Sequence, residues 1–172
     1  KIRAADSFPG VADRLAGVDC WLFDGHPEAS LRGARPGAIV ARRQGALCRA
    51  TVDGAVWITH ARRKSEQPSF KLPAAQALPE AAAGVPESAL PVLPWRDAST
   101  WQDIAYEEAD GVGYLHFDFY NGAMSTTDCL RLRDAFLAAA QRDMKVIVLL
   151  GGPDFWSNGI HLNTIEAAQS PA

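Results

Sequence analysis

The stretch Leu149-Leu150-Gly151-Gly152-Pro153-Asp154-Phe155-Trp156-Ser157-Asn158-Gly159-Ile160-His161-Leu162 carries residue types suited to chemistry on a carbonyl group. A reacting acyl carbonyl gathers negative charge on its oxygen, and backbone N–H groups aimed at that oxygen stabilise it. Glycines at a turn leave such N–H groups uncovered, and a helix starting just beyond adds the positive end of its dipole. Gly159 lets a ligand approach the main chain, which makes the N–H of Ile160 a candidate donor. Turns from strand to helix also look like this with no ligand at all, and on spacing alone the structural reading stands beside the chemical one. His161 can move a proton near neutral pH or orient a small acyl group. Its alternative is a histidine at a helix start, bonded to backbone.

Other candidates read as structural. Cys20, Cys48 and Cys129 are odd in number and widely spaced, with no C-x-x-C pair or histidine cluster near them. That supports neither a zinc site nor a disulfide framework, and buried free thiols in a reducing cytoplasm are the expectation. His26, next to Pro27, and His60, at a strand end, read as surface residues, and His116 as structural. Arg42, Arg43, Arg49, Arg62, Arg63 and Lys64 concentrate positive charge. They suit either a phosphate group, including that of RNA, or a solvated polar face. An RNA surface needs exposed aromatics beside the charges, and the one good candidate, Trp57, reads as core.

The elements that must position the glycine turn follow from hydrophobic periodicity. Val146 to Leu150 is wholly apolar, the pattern of a strand buried on both faces of a mostly parallel sheet. Ile104 to Glu107 and Val112 to Phe119 read as strands paired around Asp110-Gly111. A helix capped by Ser125 or Thr126 runs through Gln141, with Leu130, Leu132, Phe136, Leu137 and Ala140 on its apolar face. Asn163 to Ala168 begins another. Strand, helix, strand, helix argues α/β architecture here. The front of the chain differs. Val18 to Asp24, Ala38 to Arg43, Ala46 to Val52 and Ala55 to Ala61 read as short strands joined by glycine turns at Arg43-Gln44-Gly45 and Val52-Asp53-Gly54. They form a small barrel or sandwich, preceded by a helical turn or two over Val11 to Ala16. From about Glu66 to Asp97 lie Pro68, Pro73, Pro79, Pro86, Pro91 and Pro94, which forbid a long helix or a central strand. This is an extended linker laid over a neighbouring surface.

The chain has 172 residues, with net charge −3, 48% apolar and 22% charged residues. It offers no electrostatic case for nucleic acid or an anionic membrane. The longest apolar run falls far short of the ~20 residues of a membrane helix, and Lys1 to Gly10 has no signal-like apolar stretch. An opening lysine in place of methionine fits an internal piece of a longer protein.

Two resemblances sharpen these readings. Val112-Gly113-Tyr114-Leu115-His116-Phe117, Asn121-Gly122-Ala123-Met124-Ser125 and Phe155-Trp156-Ser157-Asn158-Gly159-Ile160-His161-Leu162 resemble the opening of the crotonase, or enoyl-CoA hydratase/isomerase, family. That resemblance implies Ile160 N–H as the first of two oxyanion donors, while His161 stays a catalytic candidate on the chemistry of its own side chain. It sets Gly122, Ala123, Met124, Ser157, Asn158 and Gly159 against coenzyme A, with no metal. Crotonases carry Asp where His161 stands and a small residue where Asn158 stands, departures unlike ordinary hydratase chemistry. Lys1 to Val11, the Arg-Arg-Gln-Gly hairpin and Pro68-Ser69-Phe70-Lys71-Leu72-Pro73-Ala74 resemble the C-terminal barrel of formyltransferases that use formyl-tetrahydrofolate. The two together, with Gly151 to Asn163, resemble the hydrogenase maturation factor family called HypX or HoxX.

The fold so implied is α+β: a small, OB-like formyltransferase C-terminal β-barrel over 1–78, a Pro/Ala-rich linker over 79–97, and the truncated start of an α/β crotonase-like domain over 98–172. The activity so implied, in the intact protein, passes a formyl group from formyl-tetrahydrofolate to coenzyme A and decarbonylates formyl-CoA to carbon monoxide for the iron of a nickel–iron hydrogenase. The partners are then a CoA thioester and the hydrogenase maturation machinery, with no membrane and no nucleic acid, in the cytoplasm. The formyl-transfer residues would precede Lys1 and the second oxyanion donor follow Ala172, leaving this chain inactive alone with an unpaired sheet edge. Two other readings stay open: a segment of an ordinary enoyl-CoA hydratase/isomerase, and a non-catalytic barrel module binding RNA or protein.

Overall fold

A computed structural model describes residues 9–65 and 69–169, with nothing said of the Gln169 side chain. The formyltransferase-like residues Lys1 to Phe8, and Pro68 of the later segment, lie outside the described residues. The described chain forms two compact units: one made of residues 9–65, 69–89, 99–101 and 163–169, the other of 90–98 and 102–162.

Ala16 and Gly17 both sit at positive φ, 47° and 81°, in a two-residue turn between Val11–Leu15 (β1) and Val18–Glu28 (β2). Two left-handed residues give a hairpin turn whose twist matches paired strands. The helical turn expected over Val11 to Ala16 is therefore a strand, paired from Val11↔Leu22 to Leu15↔Val18. Ladder pairing with a long neighbour overrides a weak local helical preference in so short a segment. Gln44 and Gly45, also at positive φ, join Ile39–Arg43 (β3) to Ala46–Ala50 (β4). The Thr51 hydroxyl accepts from Gly54 N–H at 3.1 Å in the loop to Ala55–Arg63 (β5). The sheet order is β1-β2-β5-β4-β3, with the short Leu72–Pro73 (β6) against β5. Among the described residues this sheet begins at β1 and ends at β3.

Alternation along β4 and β5 separates two cores. Leu15, Cys20, Leu22, Leu47 and Ile58 pack with Leu78 and the alanines of two single-turn helices, Ala74–Ala77 (α1) and Pro79–Ala82 (α2). Ala41, Cys48 and Trp57 face the other way, with Trp101 against them. The proline-rich stretch is anchored at both ends of its course in this unit. Arg42 N–H donates to Pro86 O and Ser88 N–H to Arg42 O, at 2.9 and 2.8 Å. The buried Arg43 guanidinium donates to Ser88 O and Thr100 Oγ1, both at 2.8 Å, and to Trp101 O at 2.5 Å. Buried Glu28 accepts from Trp57 Nε1 at 2.7 Å and from the Thr100 hydroxyl. A charge out of water is tolerable only when hydrogen-bonded in this way.

In the second unit Asp110 and Gly111, at φ 53° and 77°, turn Ile104–Ala109 (β7) into Val112–Phe117 (β8). Val146–Leu150 (β9) runs parallel to β8, from Val112↔Val146 to His116↔Leu150. The order β7-β8-β9 puts β9 at an end. It is not buried on both faces as its composition predicts: Val146 is 50% and Leu149 37% exposed. Thr126–Ala139 (α3) starts from a capping box, Ser125 Oγ accepting from Asp128 N–H while the Asp128 carboxylate accepts from Ser125 N–H. Ala135 and Ala139 bring α3 close against Tyr106, Leu115, Phe117 and Phe119. Leu162–Gln169 (α4) follows the glycine turn. No helix among the described residues is long and apolar enough to cross a membrane. Overall the architecture is α+β.

Candidate functional site

Three glycines shape the loop beyond β9. A Cβ on Gly151 would stand 2.5 Å from Trp156 Cα, and one on Gly152 2.1 Å from Asp118 Oδ1. Gly122, at φ 65°, would place a Cβ 2.5 Å from Phe155 Cβ and 3.0 Å from the Asn158 nitrogen. At Gly151 and Gly122 the close atoms belong to or adjoin the main chain and exclude a larger residue, while at Gly152 they are the end of the Asp118 side chain. The Trp156 ring meets Phe117 edge-on, centroids 5.3 Å apart.

That fold brings together the two segments that sequence places at the site. Asn158 N–H donates to Gly122 O at 2.7 Å, Met124 N–H to Gly159 O at 2.9 Å, and His161 N–H to Met124 O at 3.0 Å. The last two make a parallel bridge between Met124 and Ile160. Such a bridge uses the groups flanking Ile160 and turns its own N–H and C=O to the side away from Met124. Ile160 is 62% exposed. Gly159 has φ 82°, and no heavy atom lies within 4 Å of where its Cβ would be. Its left-handed backbone requires glycine, and the side it leaves open adjoins the Ile160 N–H.

Around this bridge Ala123 is extended, at φ −86° and ψ 131°. The Ser157 hydroxyl accepts from Gly159 N–H at 3.2 Å and approaches Met124 Sδ at 3.8 Å. Ser157 and Asn158 are exposed and Gly122 is buried. His161 is buried, 8% exposed, so its ring is packed beside the bridge rather than presented to solvent. The arrangement offers an outward main-chain donor on an open glycine turn, which suits stabilisation of a developing oxyanion.

The remaining candidates fall elsewhere. His60, expected at the surface, is 8% exposed, its Nδ1 3.0 Å from Thr59 Oγ1. It lies on the central strand β5, where both faces are covered. Thr59 donates to Asp24 at 2.5 Å, and Asp24 also pairs with His26 at 2.9 Å. Burial opposes ionisation of Asp24, but the bonds from His26 and Thr59 outweigh it and hold the carboxyl below its ordinary range. His26 stacks on Trp101, centroids 5.7 Å apart. His116 bonds Glu107 at 2.8 Å across the β7–β8 pair. Cys20 and Cys48 are buried but Cys129 is exposed on α3; burial, with Glu28 nearby, pushes the Cys48 thiol up to about 12. Trp57 is fully buried. Among the described residues no group of three or more His, Cys, Asp or Glu could hold a metal.

The arginine cluster is largely neutralised. Arg42 pairs with Glu87 at 3.1 Å, Arg49 with Asp13 at 2.5 Å, and Arg63 with Glu80. Sequence spacing could not foresee these acids, which come from 17 to 45 positions away. Asp118, too, is absent from every sequence motif, and its one signal is the Gly151-Gly152 pair it packs against.

Comparison with known proteins agrees with both halves of this description. Residues 1–70 match the formyl transferase C-terminal domain family. The whole chain is 48% identical to the hydrogenase maturation factor HoxX of Bradyrhizobium diazoefficiens, covering 29% of that protein. The crystal structure of HypX from Aquifex aeolicus in complex with tetrahydrofolic acid superposes with a TM-score of 0.91 at 48% identity, over 99% of this chain and 30% of that one. A multiply substituted variant of the same protein gives a TM-score of 0.91 over 31% of its length. With nearly half its residues identical from end to end and its fold superposing throughout, the chain is a homologue of the HoxX/HypX hydrogenase maturation factors and spans about 30% of their length.

Proposed function

We propose that this chain forms part of a maturation enzyme that transfers formyl from formyl-tetrahydrofolate to coenzyme A and decarbonylates the formyl-CoA to carbon monoxide. The observation that carries the reading is the Met124–Ile160 bridge, which joins the two CoA-type segments and leaves the Ile160 N–H facing away from it. The tetrahydrofolate held by the HypX of Aquifex aeolicus supports the folate end. In the first step the thiol sulfur bonds to the formyl carbon as the carbon–nitrogen bond to the folate breaks, and the thiol proton passes to the folate nitrogen. In the second the formyl C–H proton is removed, the C–S bond breaks, and the departing thiolate takes a proton, leaving CO and coenzyme A.

The chain's own contribution is positional. The backbone of Gly122, Ala123 and Met124, with Ser157, Asn158 and Gly159, lies along the coenzyme. The Ile160 N–H polarises the formyl oxygen, and a single donor of this kind is worth ~100-fold in rate. His161, packed behind the bridge, orients the donor and the small formyl group. Partners in the hydrogenase maturation machinery receive the CO.

The test uses the full-length protein with formyl-tetrahydrofolate and coenzyme A, reading CO by its spectral shift on deoxymyoglobin. CO that requires coenzyme A and falls at least ~10-fold in His161→Ala is the expected result. Hydration of an enoyl-CoA without CO would replace this reading with an ordinary crotonase.

A further inference from the structure

Asp118 stands outside every segment assigned above, yet it touches the turn on which the donor depends. Strands β8 and β9 are in parallel register up to His116↔Leu150. Two residues further along each, Asp118 and Gly152 are level. The carboxylate lies directly against the glycine: a Cβ at 152 would be 2.1 Å from Oδ1 and 2.8 Å from Cγ. Its own backbone is fixed, with Asp118 N–H donating to Asp103 O at 2.8 Å. Asp103 is in turn buried and gripped by Arg131, through both carboxylate oxygens.

The loop from Gly151 to Asn158 is thus seated at two points. Asp118 bears on Gly152 at its start, and Gly122 receives Phe155 further on. The strand of bonds to Gly122 and Met124 begins only at Asn158, so the height at which the loop leaves β9 is set at Gly152. Asp118 is exposed and lies beyond the carboxyl ends of two parallel strands, the place where open parallel sheets receive ligands.

We propose that Asp118 is a positioning residue for the acyl end of the site: seated on Gly152, it sets the loop that carries the Ile160 N–H. This rests on the coenzyme A reading above. It predicts discrimination between ligands with and without a thioester acyl group, because the donor contacts the acyl oxygen and not the nucleotide.

The experiment titrates the full-length protein with acetyl-CoA and with coenzyme A by calorimetry. Asp118→Ala is expected to weaken acetyl-CoA about tenfold while coenzyme A stays within about twofold. Gly152→Ala places a methyl group on the carboxylate. It is expected to cause the same selective loss in the wild type and a smaller one in the Asp118→Ala background, the signature of direct coupling. Equal loss of both ligands, no loss of either, or additive effects of the two substitutions would each overturn the proposal. Wild-type protein that binds neither ligand would overturn the coenzyme A reading itself, before any variant is compared.

Discussion

Asp24 and Glu28 show how single residues couple this chain to pH. In both, burial disfavours the charged form, and hydrogen bonds more than offset it: His26 and Thr59 for Asp24; Ser30, Thr100 and Trp57 for Glu28. Their folded pKa values therefore lie below the unfolded values near ~4. A group shifted this way stabilises the fold at pH above its unfolded pKa, and the contribution is lost as pH falls through the folded value. The thermal midpoint is expected to drop below pH ~4, less steeply in Asp24→Asn and Glu28→Gln than in the wild type. An unchanged slope in both variants would assign acid sensitivity to other groups. The same residue scale separates what spacing reveals from what it hides. The left-handed turn at Gly159 was legible because the glycine's backbone freedom is written in its identity. The burial of His60 and His161 was not, because it depends on what packs over them.

At the scale of elements, local patterns were mostly reliable. A cap at Ser125 or Thr126 was readable for α3, and the reciprocal bonds with Asp128 place it at Ser125. Ser125→Ala is expected to cost about 1 kcal/mol of stability with an unchanged denaturant slope, measured by urea unfolding. A loss indistinguishable from zero would mean that α3 is held by its alanine face alone. The strands and their glycine turns at Gly45, Gly54 and Gly111 were likewise legible from φ requirements and periodicity. The apolar face expected on α3 was misread, since Leu130, Phe136, Leu137 and Ala140 are exposed and Ala135 and Ala139 are buried; two further elements were misread for a common reason. Val11 to Leu15 is a strand because β2 offers it a ladder, and β9 is half-exposed because it lies at the end of its sheet. Neither partner nor position within a sheet is encoded in five residues.

Over the whole molecule, charge pairing decides which surfaces are available. A run rich in arginine suggested a phosphate or RNA surface, but Glu87, Asp13 and Glu80 meet Arg42, Arg49 and Arg63, and Arg43 is buried. With net charge −3, binding to single-stranded RNA at physiological salt is expected to be no tighter than the non-specific range of ~10⁻⁴ to 10⁻⁶ M. Fluorescence anisotropy checks this, and tighter, steeply salt-dependent binding would bring the binding-module reading forward.

What the sequence determined by itself was the class of each half, the turns that glycine makes possible, and the motif pair whose resemblance points to coenzyme A. These depend on backbone preference and on residue types a few positions apart. Only the tertiary structure decided that Met124 and Ile160 meet across 36 positions, that Asp118 bears on Gly152, and that Arg43 and Glu28 hold Thr100 from 57 and 72 positions away. Such contacts follow from strand order and register, which arise when the whole chain buries its apolar faces together.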